Sequence, residues 1–347
     1  MGQLREPDTI AITGAAGFIG RHAVRAARRR GVNVHAIVRT LASVRSEWST
    51  DPGVTPFVAD LSSENSIVNL QKAVSGASAV IHAAAALTGS EADQTRDTVT
   101  GTRNLIRSLE AERVSGIFVL VSSLTVYDST SVAVGELLDE SAEIEQSPAL
   151  RDAYCRVKLA QEELVREWAT TTRTHVRIMR PGAVFGPGRL MNGHIGPGMG
   201  PVLFQIGKRG DVPVSFVEHC AEALVLAALR PPNKGQGLVE CYNVLDSDLP
   251  DRNRFTKALR GSGWPRIIVP VPWSMMAFIA KGLSFVPGLN ARLPGLLRPA
   301  IQRTRLMPLR YSNDKLMQQL GWVQSMSFED AVDCSIASQN EGAAYAR

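Results

Sequence analysis

Tyr154 and Lys158 stand four residues apart in a segment of helical character, so both side chains fall on one face, about one turn from each other. A phenol ordinarily holds its proton to about pH 10. A cation ~4 Å away at an effective dielectric of ~20 supplies at most ~4 kcal/mol, or ~3 pKa units, which would bring Tyr154 toward the neutral range as a proton donor or acceptor. The plainer alternative is an aromatic ring packed beside a snorkelling lysine. A second group of polar atoms, Ser122 and Ser123, ends the apolar run 116–121.

These residues need a scaffold, and the chain begins with one. Residues 9–13 form a β-branched run that passes through Gly14, Gly17 and Gly20 into an Arg/Ala-rich helical segment. Gly14 permits a tight strand-to-helix turn, Gly17 lets backbone approach a pyrophosphate, and Gly20 lets the helix pack closely on a sheet. N–H groups at such a helix start hold anions. The helix is expected over 21–30, Gly31 ends it, and 32–38 reads as a second, two-sided apolar strand. Further strands are expected at 54–59, 79–86 and 116–123, with helices over 93–112 and from Tyr154 to about Trp168, then a helix at 218–229 and a strand at 238–244. Alternation of this kind specifies an α/β fold, a doubly wound parallel Rossmann sheet with a smaller, interleaved C-terminal substrate-binding part. Residues 1–185, with returning segments near 216–245, are expected to form the dinucleotide-binding domain, and 186–347 mainly the substrate-binding region. Ligands of such sheets bind beyond the carboxyl ends of the strands, which directs Ser122 and Ser123 toward the site.

Two positions bear on the cofactor. An NAD-selective protein usually ends the second strand in an acid that takes the ribose hydroxyls, but here Arg39 follows. Its guanidinium suits a 2′-phosphate, so NADP is the preferred expectation and NAD the other; a solvated arginine is the plain reading. Asp60 is expected either to accept from an adenine amino group or to cap the helix after it. His82 lies inside an apolar run and is expected to be packed rather than catalytic.

Taken as an ordered set, residues 13–20, Asp60-Leu61, 121–127, Tyr154-x-x-x-Lys158, 180–187 and 216–223 resemble the extended short-chain dehydrogenase/reductase family, which includes NAD-dependent epimerases and dehydratases and 3β-hydroxysteroid-dehydrogenase-like enzymes. The resemblance covers roughly 8–245 and, more weakly, Leu320-Gly-Trp322. It implies a Ser-Tyr-Lys constellation in which Ser123 hydrogen-bonds the substrate oxygen, Tyr154 exchanges its proton and Lys158 holds the cofactor ribose. It also implies cofactor contacts from Gly14, Ala16, Gly17, Phe18 and Ile19, from Arg39, Asp60 and Leu61, from Ala83, Ala84 and Ala85, and from Pro181 and Val184. Thr125, and His194 in the Gly/Pro-rich loop 193–201, are the substrate-contact candidates. Two departures weigh on the reaction. Nucleotide-sugar enzymes of the family commonly carry Asn where Ala183 stands, and Thr98 replaces the usual Asn before Gly-Thr. The implied activity is a ketone/secondary-alcohol oxidoreductase. The alternatives are a nucleotide-sugar epimerase or dehydratase with tightly held NAD, and a cofactor-sensing binding protein without turnover.

Composition sets the outer bounds. The chain has 347 residues, 44% of them hydrophobic, enough for a large core. Its four scattered cysteines indicate neither a disulfide frame nor a zinc site. Absence of a signal-peptide pattern or a long apolar run leads to the expectation of a soluble, cytoplasmic protein. The net charge is +5, without the basic-aromatic clustering of nucleic-acid binders. A small-molecule partner is expected; a homodimer is left open. One imbalance remains: 252–313 contains no Asp or Glu but eleven Lys and Arg, around the apolar, Met-rich stretch 273–280. That stretch suits an adaptable apolar pocket, a core helix with a solvated basic face, or contact with an anionic membrane surface.

Overall fold

The computed structural model describes residues 9–191, 193–232, 237–285 and 295–345. Seven strands form one parallel sheet: β1 (Thr9–Thr13), β2 (Asn33–Val38), β3 (Val54–Val58), β4 (Ala79–His82), β5 (Ile117–Val121), β6 (Val176–Pro181) and β7 (Val239–Val244). Their spatial order is β3-β2-β1-β4-β5-β6-β7. The chain runs outward in one direction, returns to the middle and runs outward in the other, which makes a doubly wound Rossmann-type sheet with its switch point between β1 and β4.

The central strands are buried on both faces because helices cover both. Ile10, Ala11 and Ile12 of β1 are all inaccessible to solvent, as a two-sided parallel sheet requires. On one face α1 (Phe18–Arg29) packs against α5 (Val217–Leu229) through small residues such as Ala23, Ala27 and Ala223. On the other lie α2 (Ile67–Val74), α3 (Gly101–Ala111) and α4 (Ala153–Thr172), around Leu70, Leu105 and Trp168. Residues 91–111 are helical throughout but pass through a π turn at Arg96–Thr100 before α3. Trp322 donates from its indole to the His219 carbonyl and seals the end of α5.

Smaller pieces build outward from the carboxyl edge. Ala183–Phe185 pairs with Val214–Phe216, and Val202–Ile206 pairs with Ile267–Val271. Leu137–Leu138 pairs with Arg310–Tyr311, so a late segment of the chain is stitched to the loop after β5. Buried Arg252 completes the construction by donating to the carbonyls of His194, Arg209 and Leu306. The stretch 273–280 is part of an exposed helix, Trp273–Ser284, in which only Ala280 is buried. This rules out the core-helix reading of the sequence, and the methionines at 275 and 276 do not line the cavity next to Tyr154. The reason is packing: the neighbouring helix Pro299–Leu306 takes the inner position, with Ile301 and Leu306 buried.

Candidate active site

Two cavities meet at one pair of hydroxyls. The first, about 380 Å³, opens at the switch point and is lined by Gly14, Gly17, Phe18, Ile19, Ala83, Ala85, Lys158 and Val184. The second, about 320 Å³, is lined by Leu124, Thr125, Tyr127, Leu138, Asp152, His194, Arg305 and Leu309. Ser123, Tyr154, Pro181 and Gly182 belong to both walls.

The glycine turn fits a dinucleotide. Gly14 has a φ of +64°, and a Cβ there would stand 2.9 Å from the Ala84 nitrogen. A Cβ on Gly20 would stand 2.0 Å from the Gly14 carbonyl oxygen, so this close approach of helix to turn excludes any side chain. Gly17 is the N-cap of α1 and places no side chain over the helix's first N–H groups. Those donors and the positive helix end face the cleft, which is the environment a diphosphate needs.

Tyr154 enters from the first turn of α4. Asp152 caps that helix by accepting from the Cys155 N–H at 3.0 Å, which fixes the turn. Ser123 is placed by its own short turn, its hydroxyl accepting from the Thr125 N–H at 3.2 Å. The Ser123 and Tyr154 side chains come together on the wall the two cavities share. Burial pushes the Tyr154 phenol up to about 12, and the Ser123 hydroxyl and the Arg189 charge only partly offset this.

Lys158 departs from the expected picture. Its ammonium donates to the Val121 carbonyl at 2.8 Å and to Gln161 Oε1 at 2.9 Å. Burial lowers its pKa to about 8, with Glu162 opposing. Desolvation carries the Tyr154 phenol upward rather than down. A buried polar chain anchors the lysine: Gln161 donates to Thr102 Oγ1 at 2.8 Å, the Thr102 hydroxyl meets His82 Nε2 at 2.9 Å, and His82 Nδ1 meets Thr13 Oγ1 at 2.7 Å. His82 is thus packed in the sheet, its pKa lowered by burial to about 3.

The other sequence candidates are distributed as follows. Thr125 and His194 line the second cavity. His194 is not the exposed loop residue its glycine-rich setting suggests, because Arg252 ties its carbonyl inward; burial lowers its pKa to about 4. Arg39 is exposed at the end of β2 and bonds Asp97 at 3.0 Å, with Asp60 3.9 Å away. Asp60 accepts from both the N–H and the hydroxyl of Ser62, a local turn cap. Leu61 is buried in the sheet's second core, Ala16 packs against the first, and the Ala84 N–H donates to Thr13 Oγ1. Thr98 holds the Ala86 N–H at 3.0 Å. Ser122 lines the first cavity, and its hydroxyl donates to Glu162 at 2.6 Å.

Residues that sequence reasoning passed over do much of the positioning. Glu162 receives the Arg180 guanidinium through two bonds of 3.0 and 2.7 Å, which locks α4 to β6. Arg180 also lies over the Tyr127 ring at 4.7 Å. Arg151 pairs with Glu145 at 2.6 Å in the interior. Arg189 reaches back over the Phe18 ring at 4.8 Å and lines the first cavity. Among the described residues no group of three or more His, Cys, Asp or Glu could hold a metal ion, and no helix is long and apolar enough to cross a membrane.

Comparison with known proteins agrees with this architecture. The model of the NAD dependent epimerase/dehydratase family matches residues 10–202. A ceramide reductase of Caulobacter vibrioides is 30% identical over 280 residues, spanning 77% of this chain and 75% of that protein. A GDP-6-deoxy-D-mannose reductase of Pseudomonas aeruginosa is 30% identical over 183 residues, and there the match spans only 51% of this chain and 53% of that protein. Among solved structures, MoeE5 in complex with UDP-glucose and NAD has the same fold, with a TM-score of 0.68 over 96% of this chain and 99% of that one at 18% identity. The chain is therefore an enzyme of the extended short-chain dehydrogenase/reductase type and belongs to the NAD dependent epimerase/dehydratase family.

Proposed function

We propose that this enzyme is an NADP-linked carbonyl reductase that converts an apolar ketone to a secondary alcohol. The observation that carries the reading is the meeting of the two cavities at the Ser123–Tyr154 pair. A dinucleotide along the glycine turn would bring its nicotinamide to that junction from one side, and a substrate would reach it from the other. A cofactor held along that turn would supply the hydride. Ser123 then hydrogen-bonds the carbonyl oxygen, and Tyr154 gives it a proton as negative charge develops. A phenol held near 12 by burial is fully protonated at neutral pH, which suits a proton donor in the reducing direction.

The substrate wall supports an apolar partner. Leu124, Leu138, Leu309 and the rings of Tyr127 and Tyr311 line it, while its one cationic side chain, Arg305, already pairs with Asp152 at 3.1 Å. That the ceramide reductase matches three quarters of its own length points the same way. The segment after Phe185 is, in this reading, mainly the substrate-binding part. The rival is a nucleotide-sugar epimerase, which would hold NAD tightly and show no net oxidation; Ala183, in place of the family's Asn, speaks against it.

Arg39 supports NADP through charge. Its guanidinium is exposed at the strand end where a 2′-phosphate would come. The test is net consumption of reduced cofactor by the purified enzyme with ketones of graded polarity. Stoichiometric loss of NADPH with an apolar ketone supports the reading. Turnover of a nucleotide sugar with no net change in bound NAD would replace it.

A further inference from the structure

The apolar residues of the helix Trp273–Ser284 face outward. Met275, Phe278, Ile279 and Phe285 are exposed, Phe278 at 79% and Phe285 at 75%. Their spacing of three, four and seven gathers them on one side of the helix, opposite to what a water-soluble amphipathic helix shows. The strand that leads into it, Ile267–Val271, exposes Ile267 and Val269 as well.

Charge says what covers this face. The span 252–313 has no acidic residue. Within it Lys257, Arg260, Arg266, Lys281 and Arg310 are exposed, and among the described residues none of them takes part in an ion pair. Lys208 and Arg209, from a neighbouring loop, line a surface cleft with Trp273 and Ser274 at the start of the helix. A second protein covering so apolar a face would not require basic residues on the helix and beside its start. An anionic bilayer presents both an apolar interior and a negative surface.

We propose that the helix Trp273–Ser284 lies on an anionic membrane surface, with Met275, Phe278 and Ile279 inserted at the headgroup boundary and Lys281, Lys208 and Arg209 against the headgroups. The placement also has a use. The helix packs on Pro299–Leu306, whose Thr304 and Arg305 wall the second cavity, and Trp273 packs against the Leu138–Met307–Leu309 cluster beside it. A lipid-borne ketone would then reach Tyr154 from the bilayer side. The docking itself does not depend on the redox chemistry.

The experiment is co-sedimentation of the full chain with vesicles of phosphatidylcholine, with and without phosphatidylglycerol, read as bound protein. Wild type binds the anionic vesicles and binds neutral ones about tenfold or more weakly. Phe278→Asp and, separately, Lys281→Glu each reduce binding to the anionic vesicles several-fold; both side chains are exposed, so the fold is unaffected. Equal recovery on both vesicle types, or wild-type binding by Phe278→Asp, overturns the proposal. So does a wild-type dimer that Phe278→Asp converts to monomer, since a second copy would then cover the face. Because partition rather than turnover is measured, failure here leaves the reductase reading untouched.

Discussion

At the scale of single residues, the site is governed by desolvation more than by charge. Lys158 is a buried ammonium whose pKa falls to about 8. The unfolded chain keeps that proton up to about 10.5. Between these values the folded protein binds fewer protons than the unfolded one, so stability rises with pH through that window. Comparing thermal or urea unfolding of wild type and Lys158→Met should show wild type gaining on the order of 3 kcal/mol relative to the variant from pH 8 to 10.5. A constant difference would mean the ammonium is solvated. Arg39 yields a second residue-scale expectation. With Asp97 already at 3.0 Å, its net worth to a 2′-phosphate is modest, so Arg39→Ala should weaken NADP about tenfold and NAD hardly at all. Equal losses for the two cofactors, measured by titration, would remove Arg39 as the selector.

At the scale of elements, two contacts decide whether the groups meet. Gly20 lets α1 lie against the β1 turn, with only 2.0 Å available to a Cβ. Gly20→Ala should destabilise the fold by about 2–4 kcal/mol and abolish retention of cofactor; unchanged unfolding would show that the turn gives way easily. The Glu162–Arg180 pair holds α4 to β6 and so sets where Tyr154 points. Arg180→Met removes the two-bond partner of buried Glu162, leaving it Ser122 and the half-exposed Arg166, and should cost about 3 kcal/mol in denaturant unfolding. Much of this level was legible in the sequence. Six of the seven sheet strands and the helices α1, α3, α4 and α5 follow from apolar runs, glycine turns and helical periodicity, whereas β6 is not among the expected strands and α2 has no expected bounds. What periodicity cannot show is pairing across long separations. The chain Lys158–Gln161–Thr102–His82–Thr13 joins two helices, α4 and α3, to two strands, β4 and β1, across long separations in sequence.

At the scale of the whole molecule, the late segments matter most and were least readable. Composition reveals the charge imbalance of 252–313, but not that Pro299–Leu306 takes the inner place and leaves Trp273–Ser284 outside. Nor does a glycine-rich loop announce that His194 will be drawn inward, since the cause is Arg252, 58 residues further on. Leu61 belongs to the core for a similar reason: α3 approaches so closely at Gly101 that a Cβ there would stand 3.1 Å from the leucine. Ser123 and Tyr154, by contrast, were readable from strand ends and helical spacing, because the doubly wound sheet delivers whatever follows its strands to one edge.

At the junction of the two cavities the proposed step is proton transfer from the Tyr154 phenol to a ketone. It is tested most directly by single-turnover loss of NADPH absorbance with an apolar ketone in wild type and Tyr154→Phe, cofactor binding being checked separately. The expected result is a rate lower by about 10²–10⁴ with cofactor affinity retained. A Tyr154→Phe enzyme that turns over at the wild-type rate would contradict it.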